Sequence, residues 1–242
     1  TMIYIIFSDV HGNLEAFDAA VKSMPDAKDK KLLCAGDIVG YGANPNECID
    51  KVISLGAPSI KGNHESAALG QTDISIFNRS AAEAVRWTMK QLTPDGNAYI
   101  ESLPLIHEEP SFTMVHGTLH DPGDFRYMLT NVEATRTFEV LEKKICFVGH
   151  SHVPAVFSLE DGRVDLSFKN KVKLKKEAKY IINVGSVGQP RDGDWRACYC
   201  VYDSGKEEVE LRRVEYDIET AQKKIIDAGL PRMLAERLAF GR

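Results

Sequence analysis

The chain has 242 residues, 30 basic and 35 acidic side chains, a formal net charge of −5 and 43% hydrophobic residues. That length allows one large domain or two small ones, and the composition is that of an ordinary globular protein. A net acidic balance supplies no global field to recruit nucleic acid or anionic lipid, and no run of 18 apolar residues is present to span a membrane.

Met2 to Phe7 is an apolar run that reads as a buried central strand. It delivers Ser8-Asp9-Val10-His11-Gly12-Asn13, and Leu14 to Val21 reads as the following helix. Residues two apart point the same way in an extended chain. Asp9 and His11 are therefore expected side by side at the carboxyl edge of a sheet, where open α/β folds bind ligands. Lys31 to Ala35 is a second strand, running into Gly36-Asp37-Ile38-Val39-Gly40-Tyr41-Gly42. Three glycines in that stretch mark a tight loop. Asn44, as N-cap, and Pro45 open a helix to about Leu55. Pro58 to Lys61 reads as a third strand that delivers Gly62-Asn63-His64-Glu65.

Ser66 to Leu103 is helical in pattern, including Ala81 to Leu92 and Asp95 to Leu103, and forms an insert in the strand series. Leu105 to His107 and Phe112 to Val115 are short strands, the second delivering His116-Gly117. A Pro/Gly-rich loop from Leu119 to Asp124 precedes a helix from Asn131 to Lys144. Ile145 to Val148 is an apolar strand that delivers Gly149-His150-Ser151-His152. The texture then becomes antiparallel: Ala155 to Ser158 and Val164 to Ser167 flank the hairpin signal Asp161-Gly162. The run from Lys169 to Lys179 carries six lysines and reads as a solvated hairpin or loop. Tyr180 to Asn183 leads into a segment ending at Gly193, and strands follow at Ala197 to Tyr202 and Glu207 to Arg213. Ile218 to Ala228 and Arg232 to Phe240 close the chain as helices. No linker or repeat divides it, so one domain over residues 1–242 is expected, with the insert at about 66–103. Two sheets packed face to face with helices outside would use all these pieces.

The five cysteines, Cys34, Cys48, Cys146, Cys198 and Cys200, form no CxxC pair. They read as reduced thiols of a cytoplasmic protein. Of seven histidines, His11, His64, His116, His150 and His152 fall at or just beyond the carboxyl ends of expected strands. With Asp9, Asp37 and Asn63, one sheet edge gathers eight groups able to bind metal or move protons. Imidazole, carboxylate and carboxamide without thiolate suit Mn, Fe, Zn or Ni and argue against a structural zinc site.

Asp9-x-His11, Gly36-Asp37 with its glycine loop, Gly62-Asn63-His64-Glu65, Val115-His116-Gly117 and Gly149-His150-Ser151-His152 together resemble the ordered signature of the calcineurin-like metallophosphoesterases. The Asn183 to Gly193 segment resembles the corresponding stretch of their small prokaryotic phosphodiesterase branch, with Val184 where proline is usual. The resemblance implies a four-layer α-β-β-α sandwich of two mixed sheets. It implies two divalent ions, one held by Asp9, His11, Asp37 and His152, the other by Asp37, Asn63, His116 and His150, with Asp37 bridging. Two such ions hold a phosphoryl group and acidify a water. His64 takes the role of the leaving-group histidine. The protein Ser/Thr phosphatases carry an Asp-Arg pair where this chain has Gly40 and Tyr41, which counts against that activity and leaves the partner of His64 open. Glu65 is one candidate, set against a helix N-terminal role.

Weaker substrate contacts are Asn13, which better suits an N-cap for the helix from Leu14, and Arg191, which equally suits a turn. His120 and His107 read as loop and strand residues. Trp195, Tyr41, Phe125 and Tyr127 are packing residues with the chemistry to stack on a base. The expected activity is that of a dinuclear phosphoesterase, a phosphodiesterase on a small or nucleotide-like ester. Alternatives are a phosphomonoesterase or nucleotidase on the same site and a non-catalytic metal-binding scaffold. Retention of His64 weighs against the scaffold, and the acidic balance against a nuclease on polymeric nucleic acid. A homo-oligomer is compatible with everything above.

Overall fold

Side-chain alternation decides where each strand faces. In β1 (Ile3–Phe7), Tyr4 and Ile6 point one way, and Ile5 and Phe7 the other. The computed structural model describes the whole chain, Thr1–Arg242. Tyr4 and Ile6 enter a core shared with Phe112, Ile145, Phe147 and Ile182. Ile5 and Phe7 enter another with Phe17 and Ala20 of α1 (Leu14–Ser23). Each fully buried aromatic or branched side chain contributes about 1.5–3 kcal/mol, so a one-residue slip of β1 would forfeit both cores.

The first sheet has β2 (Lys30–Cys34) beside β1, then β10 (Ala197–Asp203), β11 (Glu208–Val214) and β8 (Lys171–Lys173). Only the β1–β2 pair is parallel. The second sheet runs β3 (Ile106–Glu109), β4 (Phe112–Val115), β5 (Ile145–Val148), β9 (Lys179–Asn183), β6 (Ala155–Glu160) and β7 (Arg163–Ser167). Here β4–β5 and β5–β9 are the parallel pairs. Outside the first sheet lie α1, α2 (Pro45–Ser54), α7 (Ile218–Asp227) and α8 (Arg232–Glu236). Outside the second lies α6 (Asn131–Val140), whose Ala134 and Phe138 pack on Cys146 and Val148. The fold is two mixed sheets face to face, flanked by helices. Before β3 the chain runs through α3 (Asn63–Ala68), a 3-10 turn (Ile74–Ile76), α4 (Arg79–Gln91) and α5 (Pro94–Ser102), all but the start of α3 falling in the stretch expected as an insert at about 66–103.

Several expectations shift. The third strand contracts to a single parallel bridge, Cys34 with Ser59. Pro58 has no N–H to give, and the Lys61 N–H donates to Pro104 O outside either sheet. The lysine run is not all loop: Lys171–Lys173 pair with β11 as an edge strand, whose charges suit a free edge. The helix expected to reach Lys144 stops at Val140, where Leu141 turns to extended backbone at ψ 110°, and Lys143 and Lys144 beyond it pair with Glu108 and Glu207. Asn44 precedes α2 but its side chain does not cap it and donates instead to Glu47. All five cysteines are free and buried. No helix is long and apolar enough to cross a membrane.

Candidate metal centre

The parallel strands deliver their loops to one edge. Asp9 and His11 follow β1, Asp37 follows β2, Asn63 and His64 open α3, His116 follows β4, and His150 and His152 follow β5. Extended geometry does not align Asp9 with His11, as alternation suggested. Both sit in left-handed backbone, at φ 53° and 50°, as do Asp37 (54°), His150 (64°) and His152 (60°). Such conformations cost about 1–3 kcal/mol each for a side chain other than glycine, and they persist only where surroundings enforce them.

Two clamps do the enforcing. The Glu65 carboxylate accepts from the backbone N–H of Asp37 (2.8 Å), Ile38 (2.7 Å), Val39 (3.1 Å) and Gly62 (2.8 Å). This residue therefore orders the Asp37 loop and the start of α3 and makes no bond to His64. Burial and Asp37 push its carboxyl up to about 7, against the pull of those N–H groups. The second clamp is the segment after β9. Ser186 Oγ and the Gly188 N–H both donate to Asp9 O, at 2.8 and 2.9 Å. Asn183 Nδ2 donates to Gly149 O at 2.7 Å, steadying the His150–His152 turn. The Val184 N–H donates to Val148 O at 2.9 Å, a bond a proline there could not make. Asn13 belongs to this clamp: its Oδ1 caps α1 through the Ala16 N–H and its Nδ2 donates to Gly188 O. Both ends of its amide are engaged in the framework.

The clamped side chains converge. Ligand atoms of Asp9, His11, Asp37 and His152 lie within 4.8 Å of one another, as do those of Asp37, His116 and His150, and Asp37 belongs to both groups. Asn63 Oδ1 lies 3.3 Å from His116 Nε2 and joins the second group. Three imidazoles turn Nδ1 to a backbone carbonyl: His11 to Val39 (3.0 Å), His116 to Ala35 (2.7 Å) and His152 to Gln189 (2.5 Å). A carbonyl only accepts, so each Nδ1 carries the proton and each Nε2 is presented inward, an arrangement common around metal-ligating histidines.

The donor set fits a cation. His11 Nε2 and His152 Nε2 face each other at 3.0 Å. Burial holds both rings below their ordinary pKa, aided by His64 at His11 and by Arg191 at His152. Two lone pairs at that distance repel unless a cation stands between them. Asp9 Oδ1 and His150 Nε2 are also buried with no hydrogen-bond partner, a debt that a metal ion settles. Burial opposes the charge on Asp9, yet His152 and His116 keep its carboxyl well below the usual range. Asp37 likewise stays ionised against burial, chiefly through His116.

His116 behaves differently. Burial disfavours its charge, but Asp37 at 3.2 Å and then Asp9 push it up to about 10. The metal-free protein therefore holds an imidazolium at neutral pH, and a cation must displace that proton. Metal loading at pH 7–8 is expected to release about one proton per chain from this residue, read by titration in weak buffer. Apparent affinity should rise with pH and level off above about 10. Proton-neutral loading at pH 7 would contradict the protonated His116.

The model of the calcineurin-like phosphoesterase superfamily domain matches residues 2–207. The chain belongs to that superfamily. It is 41% identical over 247 residues to an uncharacterized protein of Methanocaldococcus jannaschii, covering all of this chain and 99% of that one. A metallophosphoesterase from Sphaerobacter thermophilus is 37% identical and superposes with a TM-score of 0.89, over 100% of this chain and 99% of its own. A hypothetical protein from Pyrococcus horikoshii OT3, 19% identical with a TM-score of 0.80, shares the fold over 100% of this chain and 99% of its own. Calcineurin-like phosphoesterases are metal-dependent hydrolases, and this member carries two buried groups of side chains that could hold such ions.

In this calcineurin-like domain His64 is oriented by packing. Its ring lies 4.5 Å from Tyr41, 4.7 Å from His11 and 5.5 Å from Phe77, centroid to centroid. Its Nδ1 is buried without a partner and rests against Gly40, where a Cβ would overlap it. Gly40 and Tyr41 thus offer His64 packing and no hydrogen bond. Burial pushes His64 down to about 4, with Asp37 pulling the other way. An N–H buried without an acceptor is costly, so the neutral ring keeps its proton on Nε2, and the residue lines a cavity of about 290 Å3.

Arg191 lies at the rim, its guanidinium 5.7 Å over the Tyr41 ring and donating to Gln189 Oε1 at 2.8 Å. His107 pairs with Glu109 in β3, His120 lines neither the ligand groups nor the cavity, and Trp195 packs on Tyr216. Tyr41, Phe125 and Tyr127 do border the cavity, with Tyr127 stacked on His150 at 4.0 Å. Phe77, Ile76 and Asn78 of the insert form the facing wall, and no motif singles them out individually. Their only signal was position between two ligand motifs.

Proposed function

We propose that the chain is a dinuclear metal-dependent phosphodiesterase acting on small esters. The observation that carries this is the sharing of Asp37 between two buried ligand groups. Asp9, His11, Asp37 and His152 would hold one divalent ion, and Asp37, Asn63, His116 and His150 the other. When bound, the ions supply an acidified water and an electrostatic clamp on the phosphoryl group. The chain's own residues do the rest. Carbonyls of Val39, Ala35 and Gln189 fix the imidazole tautomers. Glu65 fixes the Asp37 backbone through its N–H, and His64, once protonated, offers Nε2–H toward the departing oxygen. Tyr41, Phe77 and Tyr127 restrict water around it.

A diester is favoured over a monoester by the charge available. A monoester dianion calls for more positive charge, and the Asp-Arg position is occupied by Gly40 and Tyr41. Arg191 is turned to Gln189. The test is to load the protein with Mn, Fe, Zn, Ni, Co or Mg, count ions per chain and assay matched mono- and diesters. Two ions per chain and faster diester hydrolysis are expected. One ion in fully active protein sinks the dinuclear reading, and faster monoester hydrolysis makes the chain a phosphomonoesterase.

A further inference from the structure

The cavity beside His64 has an unusual charge balance for a site in a phosphoesterase. Its floor is the metal centre at Asn63 and His150, and its walls are the rings of Tyr41, Phe77, Phe125 and Tyr127. No lysine or arginine lines it. The one carboxylate on its border, Asp124, is already paired with Arg126 at 2.8 Å. Arg191 lies over Tyr41 and does not line the cavity. At about 290 Å3 it stands at the lower end of small-molecule sites, which run from roughly 300 to 1,000 Å3.

We propose that this cavity receives the leaving group of the ester and admits only an uncharged one with a flat apolar body, such as an aryl or nucleoside alcohol. This rests on the phosphoesterase reading and on His64 facing the departing oxygen. Hydrolysis breaks the P–O bond to that group, adds a water oxygen to phosphorus and returns a proton to the departing oxygen. A ring of matching size meets aromatic faces on several sides. A leaving group with a second phosphate or a carboxylate must lose its hydration among those rings with no lysine or arginine lining the cavity to replace it. Discrimination here works by exclusion, as pockets that lack a counter-charge do. The wall comes from the insert: Phe77 and Ile76 belong to no ligand-bearing loop.

The test uses two methyl aryl phosphodiesters, phenyl and 3-carboxyphenyl, whose leaving phenolates are of nearly equal basicity. The metal-loaded protein should show a kcat/KM at least about tenfold lower for the carboxyphenyl ester, the exclusion expected for an unpaired buried charge. Ile76 is 76% exposed at the rim, so Ile76→Lys leaves the core untouched. That variant supplies the missing cation and should narrow or invert the ratio. In metal-free protein, phenol should shift the Phe77 ring resonances saturably and 3-hydroxybenzoate should not. Equal kcat/KM for the two esters, or a ratio unmoved by Ile76→Lys, overturns the inference while leaving the phosphoesterase reading intact. Failure to hydrolyse either ester removes that reading and this inference with it.

Discussion

Asp37→Asn is expected to empty both metal positions together and to lower kcat/KM by at least about 10³-fold, because the ions supply several kcal/mol of transition-state stabilisation. Asparagine is the right probe. It keeps the shape, tolerates the left-handed backbone at φ 54°, and retains an oxygen for the His64 N–H, which Asp37 Oδ1 accepts at 2.9 Å. Alanine at that φ would add strain of its own. His152→Ala, by contrast, removes a ligand of one group only and should mainly empty one position. Metal analysis on both variants separates the cases. The metal-free protein gives an independent readout, since His116 is held near 10 chiefly by Asp37. In Asp37→Asn its imidazole should titrate far lower, visible by NMR. Two ions per chain in Asp37→Asn, or an unmoved His116, would sink the bridging assignment.

The contrast between what the sequence disclosed and what it hid has a physical basis. Apolar runs such as Ile3–Phe7 and Ile145–Val148 are buried on both faces, so their composition alone marks them as strands. The residues that chemistry demands, Asp9, Asp37 and the histidines, stand out because polar side chains at strand ends are otherwise unneeded. What was hidden depends on contacts between distant segments. Glu65 looked like a neighbour for His64, but its four N–H donors lie in a loop 26 to 28 residues away and at the start of its own helix. The φ values of Asp9 and His11 are imposed by Ser186, Gly188 and the Asp37 loop, so local alternation gave the wrong geometry for a correct pair. Phe77 reads as an ordinary packing residue until α3 turns the insert back over His64.

His64→Ala is expected to keep both ions and to lose about 10²–10⁴-fold on alkyl or ribose esters, the usual worth of a positioned acid. The loss should be much smaller on p-nitrophenyl esters. None of the backbone N–H clamps or ligand groups uses its imidazole, so metal content has no reason to change. An alkoxide needs a proton as it departs, whereas a nitrophenolate is far less basic. Burial sets the resting His64 down to about 4, and an anionic ester placed beside it favours the protonated form again. The difference between the two substrate classes is therefore the diagnostic, with ions counted on the same preparations. Gly40→Ala provides a second probe that leaves His64 in the chain; at φ 94° alanine also strains the loop, so ions are counted on this variant too. A Cβ there overlaps Nδ1, so the ring must swing toward the cavity, and the same selective loss on alkyl esters should follow in weaker form. If both classes suffer equally while the ions stay bound, His64 positions the phosphate and the proton reaches the leaving oxygen by another route.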